Sequence, residues 1–198
     1  IFYFANSYIN GNYLDKLVSV SFNTISIISG TGYVSENFEN WGNYASVLFL
    51  ILMFIGGCAG STTGGLKVFR FQILLKYMLI HLKKMLQPHA IIASYFNNKK
   101  IEDSTYESVM SFFFIYILTF AISALLLSFS GLDFLTCISA AASAISNVGP
   151  GLGEIIGPEG NYSNLSDYSK VILLITMFLG RLEMLTIFVL LVPSFWKN

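Results

Sequence analysis

Apolar residues run along this chain in blocks, and the lengths of the blocks decide what each one can be. A bilayer core of about 30 Å needs about 20 apolar residues in helical form, whereas runs of roughly 10–14 are more often re-entrant or buried. Residues 104–129 ("STYESVMSFFFIYILTFAISALLLSF") are long enough to span. Residues 168–193 ("YSKVILLITMFLGRLEMLTIFVLLVP") are read as a second span, with Arg181 near its middle. Residues 43–86 are too long. As one helix they would run about 65 Å at 1.5 Å per residue, roughly twice the bilayer. Their interior, "GGCAGSTTGG" at 56–65, is a poor helix former. The pattern predicts a broken element: a helical half over 44–55, a Gly/Ser/Thr loop at membrane depth, and a second half starting near Lys67.

Two further blocks are too short to span, 14–29 ("LDKLVSVSFNTISIIS") and 132–146 ("LDFLTCISAAASAIS"). Both begin Leu-Asp, both are rich in small residues (Ser and Thr in the first, Ser and Ala in the second), and both end at a glycine-containing turn. Short helices that enter and turn back fit them, with Asp15 and Asp133 as the expected N-caps.

Composition settles the setting. Of the residues, 55% are apolar and 11% charged, against about 25% charged in soluble domains, and the mean hydropathy is +0.67. The fold class predicted is an all-α integral membrane protein. The formal net charge is zero, which removes any electrostatic argument for nucleic acid. The chain starts at Ile1 in mid-pattern, as expected of a piece of a longer protein. Cys58 and Cys137 fall in no metal or disulfide spacing and are expected to be buried, inert thiols.

Charge orients the segments. Lys67, Arg70, Lys76, Lys83, Lys84, Lys99 and Lys100 all lie between the broken element and the next span, and the loops over 30–42 and 147–167 hold no Lys or Arg. The positive-inside rule then makes 67–103 cytoplasmic and brings the short helices in from outside. The outer glutamates Glu36, Glu39, Glu154 and Glu159 are expected to be solvated, with a sign that suits a cation vestibule.

The second half of the chain lies over the first. "LDKLVSVSFNTISIISGTG" meets "LDFLTCISAAASAISNVG", and "MFIGG" meets "MFLGR". Self-similarity in a fixed order marks a repeat, here span, re-entrant helix, loop, span. The organisation predicted is a pore-loop unit over 1–86 (first span mostly missing, pore helix 14–29, tip 30–34, broken helix 43–86). A cytoplasmic linker over 87–103 follows, and then a second unit over 104–198 (span 104–129, pore helix 132–146, tip 147–151, span 168–193).

The tips carry the chemistry. Irregular backbone at membrane depth is tolerated only where protein buries it or it lines a water-filled cavity. Glycine reaches positive φ without a side-chain clash, so successive carbonyls can turn toward one axis. Carbonyl rings of this kind replace water around a cation in potassium-selective filters, and the negative C-terminal end of a short helix favours the same ion. Taken singly, either tip also reads as a plain tight turn; as a repeated pair at re-entrant ends they read as a filter. Arg181, a charge at span depth, is a functional-site candidate by default. "GSTTGGLK" fails as a phosphate loop, because Leu66 separates the glycine from Lys67 and no Ser or Thr follows.

Three motifs, "GCAGSTTGGLKVFR" (57–70), "NVGPGLG" (147–153) and "MFLGRLE" (177–183), resemble the Trk/Ktr/HKT superfamily of potassium transporters, in its TrkH-type branch, over nearly the whole chain. The resemblance implies four fused pore-loop repeats around one pore, of which this chain would supply the third and fourth. It implies that Gly30, Thr31, Gly32 and Tyr33, with Asn147, Val148 and Gly149, coordinate K+ through backbone carbonyls, Gly32 and Gly149 being the filter glycines. Gly56, Gly57, Gly60, Ser61, Thr62, Thr63, Gly64 and Gly65 would form an intramembrane gate, and Arg181 would face the pore. The family also implies a homodimer in the cell membrane with a cytosolic nucleotide-binding regulator of the RCK type, K+ as the transported ion and no organic cofactor. "GTG" stands where Ser/Thr-Thr-Gly is the family pattern, and bulky Val148 sits in the other tip, so a less sharp rejection of sodium is expected. The alternative is a sodium- or proton-coupled secondary transporter with a midplane site at the broken helix. No nucleophile–base pair at span depth suggests an enzyme.

Overall fold

The computed structural model describes residues 8–9, 12–58, 60–61, 63–87, 95–96, 99–100, 103–182, 184–191 and 193–197. Within these, the helices are α1 (Tyr13–Ile28), α2 (Asn43–Phe54), α3 (Val68–Leu86), α4 (Asp103–Ser128), α5 (Phe134–Ser146), α6 (Asp167–Arg181) and α7 (Met184–Leu191). Short 3-10 turns cover Phe38–Trp41, Tyr162–Asn164 and Pro193–Lys197. Among the described residues the fold is helical apart from a two-residue antiparallel pair, Tyr95–Phe96 (β1) with Lys99–Lys100 (β2), and one isolated bridge between Ile55 and Leu66.

Among the described helices only α4 is long and apolar enough to cross a bilayer by itself. Its buried positions, Tyr106, Val109, Phe112, Tyr116, Thr119, Ser123 and Leu127, recur every three or four residues and form one stripe. The opposite face, with Phe114, Ile117, Leu118, Ile122 and Leu125, is exposed and apolar, as a lipid-facing surface must be. The stripe is the more polar side: the Tyr116 hydroxyl pairs with Ser146 Oγ at 2.7 Å and Ser123 Oγ with Thr176 Oγ1 at 2.8 Å. These bonds tie α4 to the end of α5 and to α6.

α5 is the central post. Every residue from Cys137 to Ser146 except Ile138 is buried, and the run "SAAASA" keeps its surface small, so α2, α4 and α6 all pack on it. Small residues allow this close approach of helices in a membrane. Asp133 caps α5, accepting from the Thr136 amide at 3.4 Å and hydroxyl at 2.8 Å. These bonds, the hydroxyl's first, hold its carboxyl below the usual aspartate range. α1 does not follow suit. Its N-cap is Asn12 without a side-chain cap bond, and Asp15 sits inside the first turn. The Leu-Asp pairs therefore align in sequence but not in helix register, and Asp15 acts on the helix dipole rather than on a free amide.

The two halves meet in one apolar cluster, where Ile27, Phe38, Trp41, Phe49 and Met53 pack with Ala142, Val148 and Leu152. Phe38 stacks on Phe49 with ring centroids 4.1 Å apart.

One element departs from the sequence expectation. The stretch 168–193 is not one helix: α6 ends at Arg181 with Leu182 as its C-cap, and α7 starts at Met184. The interruption follows Gly180, the one glycine of the segment and a weak helix former. It also lies one turn past Met177, whose carbonyl accepts from Asn147 Nδ2 at 3.2 Å, and a side chain bonded into the helix ladder is a recognised cause of a break. Arg181 is thus the last residue of a helix rather than the middle of one. In the other long stretch the break falls between α2 and α3, over 55–67.

Candidate functional site

α1 and α5 end in the same way. After α1, Gly30 and Gly32 take positive φ, +69° and +74°, with Thr31 between them. After α5, Asn147 and Gly149 take +54° and +116°, with Val148 between them. Asn147 is the one non-glycine at positive φ among the described residues, and asparagine is the side chain that tolerates this region best. It fills the place that Gly30 fills in the first tip.

The amides of both tips point backwards. Thr31 and Gly32 donate to the Ser26 carbonyl at 3.0 and 3.2 Å, and Val148 donates to the Ser143 carbonyl at 3.0 Å. Gly149 donates to Ser143 Oγ at 3.1 Å. Ser26 and Ser143 occupy matching positions, four residues before Gly30 and Asn147. The amides of both tips are thus satisfied within their own loops. One carbonyl is already engaged: Gly149 accepts from the Tyr162 hydroxyl at 2.7 Å. Val148, bulky in sequence, turns its side chain into the apolar cluster between the halves and is 5% exposed. Its bulk lies behind the tip.

The tips touch each other. A Cβ on Gly32 would lie 2.0 Å from the Val148 carbonyl oxygen and 3.1 Å from Pro150. Gly30 faces the Thr63 methyl, where a Cβ would stand 3.4 Å away. The segment 55–67 therefore sits directly beside the first tip. Its base is pinched shut by a parallel bridge between Ile55 and Leu66, with Gly56 donating to Leu66 at 2.9 Å and Leu66 to Phe54 at 3.1 Å. Inside the ring, the Gly57 amide donates to Thr63 Oγ1 at 3.0 Å, Ser61 Oγ bonds the Cys58 carbonyl at 2.8 Å, and the Ser61 and Thr63 hydroxyls pair. Gly64 lies against the end of α5, a Cβ there falling 2.3 Å from the Ser146 oxygen. Gly56 is equally tight against Gly64, at 2.4 Å, while Gly60 has open space around it and Gly65 takes positive φ.

Arg181 is exposed and borders a cavity of about 280 Å³ together with Ser61, Thr63, Gly64, Gly65, Lys67 and Arg70. It also borders a larger, apolar cavity of about 660 Å³ beside Asn147, Gly149 and Tyr162. Gly30, Thr31, Gly32, Asn147, Val148 and Gly149 are thus brought together with Thr63, Gly64 and Arg181. Tyr33 stands within the first tip with its ring exposed. Thr62, and with it Glu183, lies outside the described residues.

Several expectations change. Cys58 is exposed, while Cys137 is buried; the Ser61 and Thr63 hydroxyls pair with each other, and the thiol is left outside. Glu39 is not simply solvated. Its carboxylate accepts from the Gly153 amide at 2.5 Å, which ties the loop after one tip to the loop after the other. The residues that sequence reasoning missed are Ser26, Ser143, Tyr162 and Glu39. For the serines a signal existed, their equal distance from the two tips; for Glu39 and Tyr162 the partners are set only by the fold.

The family model described as TrkH, cation transport protein, matches residues 10–198. The Trk system potassium uptake protein TrkI of Halomonas elongata is 46% identical over 183 residues, which is 92% of this chain and 37% of that protein. The potassium uptake protein TrkH of Vibrio parahaemolyticus is 36% identical over 93% of this chain and 37% of its own length. The crystal structure of the potassium transporter TrkH from Vibrio parahaemolyticus superimposes with a TM-score of 0.89 at 34% identity, covering 98% of this chain and 41% of that one. The chain spans about two-fifths of the length of these relatives. On the extent of the family match and the agreement in structure, this chain belongs to the TrkH family of cation transport proteins.

Proposed function

We propose that the chain supplies two sectors of a potassium-conducting pore. The carbonyls of Gly30, Thr31, Gly32 and Tyr33, with those of Asn147, Val148 and Gly149, replace water around a dehydrated K+. The observation that carries this reading is the matched handedness of the two tips, left-handed at Gly30 and Gly32 and at Asn147 and Gly149, at the ends of two short helices and in mutual contact. Each helix C-terminus adds a partial negative charge of about half an electron directed at the same region. Because Gly149 already accepts from Tyr162, Asn147 and Val148 carry more of the coordination in the second sector.

The loop over 56–65 is the gate, lying beside the first tip, and Arg181 next to it opposes cation passage until the loop moves. The tips face outward and 67–103 faces the cytoplasm of a multi-pass inner-membrane protein. The remaining pore-loop repeats of the full-length chain complete the filter. A second copy and a cytosolic nucleotide-binding regulator of the RCK type are the expected partners. The membership of the TrkH family supports these assignments.

Flux in liposomes carrying the full-length protein tests the function. A potential imposed across the membrane, with no sodium or proton gradient, is expected to drive K+ uptake. Flux that requires one of those gradients in fixed stoichiometry would instead favour a coupled transporter.

A further inference from the structure

Each tip is held at a second point beyond its glycine, and the two holds match. Asn23 of α1 is 1% exposed. Its Nδ2 donates to Ser35 Oγ at 2.8 Å and to the Ser19 carbonyl at 2.9 Å, and its Oδ1 accepts from the Ser35 amide at 3.1 Å. Ser139 of α5 is fully buried. Its Oγ donates to the Leu152 carbonyl at 3.0 Å and accepts from the Leu152 amide at 2.9 Å. Ser35 stands three residues after Gly32, and Leu152 stands three residues after Gly149. Two different side chains, on two different helices, therefore grip the same position of the two loops.

A buried amide or hydroxyl is costly unless it is paired, and here each pairs with the loop rather than with a neighbouring helix. The grip is bidentate in both cases. Asn23 takes the amide and the side chain of Ser35; Ser139 takes the amide and the carbonyl of Leu152. Each tip is thus an arch with two fixed feet. One foot is the helix end, where the amides reach Ser26 or Ser143. The other is the clamp. Where a filter discriminates by cavity size, its carbonyls must not close in on the smaller cation, and an arch free at its outer foot can close.

We propose that Asn23 and Ser139 are positioning residues for cation selectivity, holding the outer feet of the two tip loops so that their carbonyls cannot contract onto sodium. This rests on the reading of the tips as ion ligands. The role is one step removed from the ion, so the readout must be selectivity rather than stability.

The test uses the full-length protein in liposomes, with the K+/Na+ permeability ratio measured for Ser139→Ala, Asn23→Ala, Ser35→Ala and Gly32→Ala. Ser139→Ala removes one hydroxyl and leaves the helix intact. Ser35→Ala lies in an exposed loop and takes away only the Asn23 side-chain bond, so it tests the first clamp if Asn23→Ala fails to fold. The ratio is expected to fall about fivefold to tenfold in Ser139→Ala and Asn23→Ala, the order set by losing one net hydrogen bond, and by less in Ser35→Ala. If the ratio stays at the wild-type value in the clamp variants while Gly32→Ala loses discrimination, the clamp proposal is overturned and the filter reading stands. A lowered thermal midpoint with an unchanged ratio would also overturn it, reducing the pair to braces. A wild-type ratio in Gly32→Ala would remove the filter reading itself.

Discussion

Replacing Gly180 by alanine sets two effects of opposite sign against each other. Gly180 lies in α6 with ordinary helical φ, and alanine there gains about 1 kcal/mol of intrinsic helix propensity. Propensity alone predicts a more stable protein. The structure predicts the reverse. A Cβ at Gly180 would stand 2.0 Å from the Ile145 carbonyl oxygen and 3.1 Å from Asn147 Nδ2, where real Cβ contacts do not fall below 3.0 Å. The first contact is short by the difference, 1.0 Å, and it is with backbone, which cannot rotate away. α6 must therefore move off the end of α5. Overpacking of this kind costs about 1–3 kcal/mol. The Asn147–Met177 bond of 3.2 Å stretches as well, adding about 1 kcal/mol. The loss exceeds the gain, leaving a net destabilisation of about 1–3 kcal/mol. Thermal unfolding of the full-length variant in detergent, with K+ flux in liposomes, checks this: a lower midpoint and reduced flux are expected. A midpoint above wild type with normal flux would refute the packing of Gly180 on the second tip.

Other outcomes follow from single contacts. Asp133→Ala removes a paired N-cap and is expected to cost about 1 kcal/mol, whereas Asp15→Ala, which removes no cap bond, costs less than half of that; chemical denaturation of the two variants compares them. Glu39→Ala removes a charge-assisted bond to the Gly153 amide and is expected to cost about 1.5–3 kcal/mol, with Glu39→Gln retaining part of it through its carbonyl oxygen. Thiol reagents applied from the cytoplasmic side are expected to label exposed Cys58 and slow K+ flux in wild type, with no slowing in Cys58→Ser; equal inhibition of both would argue against 56–65 as the gate.

Much of the fold is legible in block length and helix-forming residues. The short helix expected over 14–29 is observed as Tyr13–Ile28, and the break expected within 43–86 falls between Phe54 and Val68. Both follow from local facts, an apolar run too short to span and a run of glycines and hydroxyls that no helix favours. The interruption after Arg181 is not legible in the same way. A single glycine in an apolar run is tolerated in many helices, and what weakens this one is Asn147, which reaches it across the fold. Glu39 and Gly153 are likewise 114 residues apart, so a carboxylate that reads as surface charge in sequence is a tether in space. The equivalence of Gly30 with Asn147 lies between these cases. The alignment places them together, and only the backbone angles show why asparagine can stand in for glycine there.

In the proposed pore the two tips coordinate the ion through carbonyls whose direction depends on left-handed backbone at their glycines. Gly32→Ala forces a side chain at φ +74° and within 2.0 Å of the Val148 carbonyl oxygen, so it disturbs both tips at once. Potassium and sodium permeation through the full-length variant, measured side by side in liposomes, is the most direct test. Loss of potassium preference, or loss of flux in a protein that still folds, is the predicted result. Wild-type flux with wild-type rejection of sodium would contradict the account.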